Sequence, residues 1–192
     1  VSIQAKDGSE GKVHFSPRQF SDRVIGILTV FGDDCIRYHN GVFALAFNYD
    51  YSFDKMARVF KTEGDKIILD IPEEIKEFRG FSRDYEFDFE TVLRFNGDIA
   101  ITGQMDGLKP VRIENSEFIT SLCNYAFAEC NIKEFRVGDK LKRLPDNCFR
   151  SSGISRIYGI EKLESVSPTA VENCVLDSTT ERELKAKIKR KV

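Results

Sequence analysis

Apolar residues recur through the second half of the chain with a period far longer than that of a helix or a strand. Three ungapped segments line up: ITSLCNYAFAECNIKEFRVGDK from Ile119, LKRLPDNCFRSSGISRIYGIEK from Leu141 and LESVSPTAVENCVL from Leu163. Their starts are evenly spaced (141 − 119 = 163 − 141 = 22). Ile119, Leu141 and Leu163 share a column, as do Leu122, Leu144 and Val166. Ala126, Cys148 and Ala170 form the next, followed by Phe127, Phe149 and Val171, then Cys130, Ser152 and Cys174, and finally Ile132, Ile154 and Leu176. An amphipathic helix would repeat about every 3.6 residues and a half-buried strand about every two. One long register held through all these columns marks stacked repeats instead. A repeat this short cannot bury its own apolar face, so copies must stack, each adding a strand to a common core.

The register reaches upstream. Ile75 and Phe78 precede Leu141 and Leu144 by a whole number of repeats (141 − 75 = 144 − 78 = 3 × 22). The segment ILDIPEEIKEF, 68–78, reads as the strand and proline turn of the same unit, so the solenoid is expected over 66–178. Between Phe78 and Leu108 the pattern degenerates, most of all at 79–107. There YEFDFE alternates at period two through Tyr85, Phe87 and Phe89, and IAIT reads as a short strand. An insertion-bearing repeat or an added hairpin is expected in this stretch.

Residues 1–65 leave the register and read as a separate β-rich module with one helix. In DCIRYHNGVFALAF, Asn40-Gly41 supplies the two positive-φ positions of a type I′ hairpin turn. Counting outward from it pairs Tyr38 with Phe43 and Ile36 with Leu45 on one face. VIGILTVF reads as a further strand. SFDKMARVFK carries Phe53, Met56, Ala57 and Phe60 at helical spacing, with Ser52 placed as N-cap. Solenoids expose apolar end faces, so closing the N-terminal end is the expected task of this module.

The spacing and the pattern I/L-xx-L-xxxx-AF-xx-C-x-I-xx-I/F resemble the BspA-like class of leucine-rich repeats, most clearly over residues 119–176. Ser152 in the Cys column and Val171 in the Phe column depart from it. The expected fold is therefore α/β to mostly β, a short leucine-rich-repeat solenoid with an N-terminal β-hairpin-plus-helix cap. The resemblance implies surface or adhesion roles and places no catalytic residue.

Composition narrows the function classes. At 192 residues the chain suits one domain or two small ones, and a formal net charge of −2 gives no global attraction to nucleic acid or anionic membrane. No apolar run is long enough for a spanning helix, and VSIQAKDGSEGKVHF has no signal-peptide core, which leaves the compartment open. The 5 cysteines are an odd number, against a disulfide framework.

Metal and catalytic readings fare poorly. Of the two histidines, His14 and His39, the latter stands about 13 Å from Cys35 along a strand, too far to share a metal. Cys130 and Cys174 sit two repeats apart in one column, roughly 10 Å, and read with Cys148 as small buried core residues rather than zinc ligands. No glycine-rich phosphate loop is present, and Asp50 and Asp54 lack calcium-loop spacing. No nucleophile–base motif appears. The expectation is a non-enzymatic chain with no cofactor and no metal.

The repeat nominates a surface. If Phe135 and Val137 point inward, Glu134 and Arg136 point outward, and the equivalent outward pairs are Arg112 with Glu114 and Arg156 with Tyr158. One outward column then reads Arg112, Glu134, Arg156 and the other Glu114, Arg136, Tyr158. Opposite charges become neighbours between strands, so the ladder serves either its own pairing or a partner protein. From Glu181 onward six Lys or Arg face two Glu. That basic tail (179–192), with Lys185, Lys187, Lys189, Arg190 and Lys191, offers an acidic or nucleic-acid partner an alternative contact within a larger assembly. Protein–protein interaction or scaffolding is the leading expectation.

Overall fold

The computed structural model describes residues 2–4, 10–12, 60–64, 66–73, 75–78, 90–105 and 108–188. The hairpin expected at Asn40-Gly41, the strand of VIGILTVF, the run through Tyr85, Phe87 and Phe89, and His14, Cys35 and His39 lie outside the described residues. So does the helix expected from Phe53, except at its last position.

Near the start, β1 (Ser2–Gln4) and β2 (Glu10–Lys12) pair antiparallel. Phe60 does not close a helix; it opens strand β3 (Phe60–Glu63), which runs antiparallel to β4 (Lys66–Ile71) with Glu63 opposite Lys66. The short connection that this pairing leaves is served by Gly64, whose φ of 62° is the left-handed geometry a tight hairpin needs.

From β4 onward the chain winds as a solenoid. Its strands are β5 (Glu77–Phe78), β6 (Thr91–Phe95), β7 (Ile99–Ile101), β8 (Arg112–Glu114), β9 (Ile119–Leu122), β10 (Glu134–Arg136), β11 (Arg143–Leu144), β12 (Arg156–Tyr158) and β13 (Ser165–Val166). They build two parallel stacks. One runs β4-β6-β8 and resumes as β10-β12; the other runs β5-β7-β9 and resumes as β11-β13. Both hydrogen-bonded ladders are thus interrupted at the same level, between the turn holding β8 and β9 and the turn holding β10 and β11. On the first side the Ser116 hydroxyl bridges the gap, accepting from the Arg136 N–H at 2.8 Å and donating to the Arg136 carbonyl at 2.9 Å.

The step from turn to turn is uneven upstream and regular downstream. Ile67 lies opposite Thr91, Val92 opposite Arg112, and Glu134 opposite Arg156. On the other side Phe78 faces Ile101 and Ile101 faces Leu122, with a register shift between Ile99 and Ala100. Residues 90–105 therefore carry a strand in each stack, although the spacing of the later repeats does not announce them.

The core runs down the middle of the stack. Phe78, Phe95, Phe127, Phe135 and Phe149 are its largest fully buried side chains. Phe135 packs edge-on against Phe149 at 5.0 Å between ring centroids. Cys130 and Cys148 are buried, Cys123 and Cys174 half-buried, and all four are free thiols. Ser152, the departure in the Cys column, lies 3.6 Å from the Cys174 sulfur, so a weak polar contact replaces thiol packing there.

A third side is made of tight turns around 124–130, 146–152 and 168–174. The Phe127 N–H donates to the Cys148 carbonyl and the Phe149 N–H to the Ala170 carbonyl, both at 2.8 Å, so each turn is bonded to the next. Left-handed residues recur in register: Glu129, Ser151 and Asn173 have φ of 61°, 52° and 59°, and Tyr125 and Asn147 have 62° and 57°.

One α-helix, Ser178–Ile188, closes the C-terminal end. Asp177 accepts the Thr180 N–H through Oδ1 at 2.7 Å, and the Thr180 hydroxyl accepts the Ile157 N–H from β12 at 3.2 Å. Leu184 is buried against the core, and Lys187 donates to the carbonyls of Glu161 and Leu163 at 3.0 and 2.5 Å. The helix thereby takes up donors and acceptors that a further repeat would otherwise meet. No helix among the described residues is long and apolar enough to cross a membrane.

Candidate interaction surface

Parallel pairing puts Glu134 opposite Arg156 and Arg136 opposite Tyr158, as the outward columns require. Phe135 and Ile157, between them in sequence, are buried. Alternation along a strand explains this, since consecutive side chains leave on opposite faces.

The charges, however, do not pair down the columns as the ladder reading requires. Arg112 donates to Glu63 of β3 at 2.7 Å and to its own neighbour Glu114 at 2.8 Å. Glu114 also takes Arg94 of β6 at 2.5 Å. That bond, opposed by partial burial but joined by further attraction from both arginines, leaves the Glu114 carboxyl below its usual range. Glu63 and Glu114 hold the two guanidiniums above theirs. Partial burial alone would raise the Asp70 carboxyl, but bonds from Lys61 and Asn96 bring it below the ordinary value. The end of the face nearest β3 is therefore internally neutralised.

At the other end, Tyr158 is the centre of the arrangement. The Arg136 guanidinium lies 4.8 Å from its ring centroid and that of Arg156 lies 5.0 Å away. Its hydroxyl donates to Glu134 Oε1 at 3.3 Å. Arg156 reaches Asp177 at 3.5 Å, at the mouth of the C-terminal helix. Arg136 has no carboxylate within salt-bridge distance among the described residues. The two flanking cations hold the Tyr158 ring in a fixed orientation with its edge available.

Lys185 and Lys187 belong to the C-terminal helix. Lys185 pairs with Glu181 one turn earlier, while Lys187 is turned inward onto backbone carbonyls. Lys189, Arg190 and Lys191 lie outside the described residues. Among the described residues no group of His, Cys, Asp and Glu is gathered as a metal site would need. Burial pushes the Cys148 thiol far above its ordinary range and raises that of Cys123 as well, so neither has the character of a nucleophile.

Arg94, Asp70, Lys61 and Asp177, all tied into this face, were not singled out by the sequence. Arg94 stands opposite Glu114 at a shorter sequence step than the later repeats use, so a register fixed on those repeats misses it.

Comparison with known proteins agrees with this geometry. Neither the curated proteins nor the solved structures return a match to the chain. Residues 104–192 match the family model described as a BspA type leucine-rich repeat region, in 6 copies. From β8 onward the chain contributes one pair of strands per turn, and over residues 104–192 it is similar to the BspA-type leucine-rich-repeat family.

Proposed function

We propose that the chain is a non-enzymatic interaction or scaffolding module that holds another protein on the outward face of Arg112, Glu114, Glu134, Arg136, Arg156 and Tyr158. The observation that carries this reading is Tyr158, half-buried and fixed between Arg136 and Arg156. A tyrosine and an arginine, both already ordered, lose little conformational freedom when a partner arrives, and these two residue types dominate interface energetics. Leucine-rich-repeat regions mediate protein interactions in general, which supports the same reading.

The test is a photo-crosslinking residue introduced at 112, on the face, and at 129, on the opposite turns. The reading expects a discrete adduct with a single partner from position 112 only. Tyr158→Ala and Glu134→Lys should each weaken that adduct while leaving the melting temperature close to wild type. Equal crosslinking from position 129, or an adduct indifferent to both substitutions, would move the interface elsewhere.

A further inference from the structure

The interruption of the second strand stack leaves a feature that the strand face does not use. Where the ladder stops at β9 and resumes at β11 there is an open groove of about 440 Å³. One wall carries Thr120, Ser121 and Asn124, and the other Lys140, Lys142 and Arg143, with no carboxylate among the lining residues. Lys140 is bonded to Asp98 on its outer side. Lys142 and Arg143 are exposed and form no salt bridge or side-chain hydrogen bond among the described residues. Asp139 lies within electrostatic reach of Lys142, but its carboxylate is already taken by Lys162 at 2.9 Å.

A chain of net charge −2 thus concentrates unneutralised positive charge in one hydroxyl-lined groove, beside two strand edges that no ladder joins. Exposed hydroxyls and amides satisfy the polar backbone that an extended segment brings. We propose that this groove seats an extended acidic segment of a partner protein, its carboxylates on Lys142 and Arg143 and its backbone against Ser121 and Asn124. A peptide fits better than a nucleic acid. The cations are confined to residues 140–143, and acidic side chains bound them: Asp146 follows Pro145, and Glu164 stands on the next turn, its N–H on the Lys142 carbonyl at 2.8 Å. A run of phosphodiesters would meet those carboxylates; a carboxylate or two would not.

The experiment is a fluorescence-anisotropy titration of the full chain with a labelled glutamate-rich peptide at low salt. Saturable binding is expected, weakened roughly tenfold by Lys142→Gln with Arg143→Gln, and kept within about twofold by the charge-conserving pair Lys142→Arg with Arg143→Lys. Arg182→Gln with Lys185→Gln on the helix makes the same change in net charge and should leave affinity within about twofold, as should Arg136→Gln on the strand face. Thermal melts accompany each variant, so that lost binding is not lost fold. Absence of saturable binding, or equal binding by the Lys142→Gln/Arg143→Gln protein, overturns the proposal. So does displacement of the peptide by a thymidine oligonucleotide at lower concentration than by unlabelled peptide.

Discussion

The rings of Phe127 and Phe149 lie stacked across adjacent turns, 5.9 Å between centroids and 13° from parallel. Both are fully buried, and each occupies the same column of its repeat. Phe149 also meets Phe135 edge-on, so it is the shared neighbour of two other rings. Phe149→Ala should therefore leave a cavity that neither ring can fill and cost about 3–5 kcal/mol. Chemical denaturation reads this directly; a midpoint equal to wild type would remove Phe149 from the core.

Tyr125 and Asn147 occupy one position of successive turns, both left-handed. Asn tolerates that conformation, whereas an aromatic side chain is strained by it. Tyr125 is also 36% exposed, so little packing is lost on replacing it. Tyr125→Asn should raise stability by roughly 0.5–1 kcal/mol, visible as a higher denaturant midpoint. A fall would show that the ring makes a contact worth more than the strain.

The buried Cys148 thiol has a folded pKa above its unfolded one. Between the two values the folded state binds more protons, so stability is full below the ordinary thiol pKa and declines as pH rises beyond about 8.5. Wild type should lose stability above that pH more steeply than Cys148→Ala does, after allowing for the variant's lower starting point. In the same range a thiol reagent should label Cys148 only on unfolding. Parallel pH profiles would contradict this account.

Thr180 joins the C-terminal helix to β12 by accepting the Ile157 N–H. Thr180→Val keeps the shape and removes the acceptor, leaving a buried donor unsatisfied at a cost of about 1–3 kcal/mol. Hydrogen exchange should show the Ile157 amide losing protection before the amides of β10 do.

Glu134 accepts the Tyr158 hydroxyl at the surface. Glu134→Lys should cost no more than about 0.2–1 kcal/mol, as exposed polar contacts do. A thermal melt distinguishes this from the collapse that a structural role would produce.

Much of this architecture is legible in the sequence, and what is not has identifiable causes. From Ile119 onward the turns are equal in length, so a comparison at one fixed period finds every column. Upstream, Phe78, Ile101, Leu122 and Leu144 occupy successive turns at unequal steps (101 − 78 = 23, 122 − 101 = 21, 144 − 122 = 22). Together these restore the three-repeat offset while hiding the turn in between. The outward columns follow from alternation alone, but their partners do not. Arg112 takes Glu63 and Arg156 takes Asp177, residues that lie outside the repeat columns. The basic groove depends on a ladder that fails to form between β9 and β11, and no residue pattern marks that failure.

The simultaneous interruption of both ladders also has a mechanical side. Across that level the turns remain tied by the bonds from Tyr125, Phe127 and Glu129 to Asp146, Cys148 and Arg150, while the strand sides have the Ser116 hydroxyl and side-chain packing. Close approach there is strict: a Cβ on Gly138 would lie 1.8 Å from the Glu117 carbonyl. A rod fastened continuously along one side and sparsely along the other two bends about the fastened side. Among the described turns, resistance to bending at this level therefore rests on the hydrogen-bonded turns and on the aromatic core of Phe127, Phe135 and Phe149, not on the strand ladders.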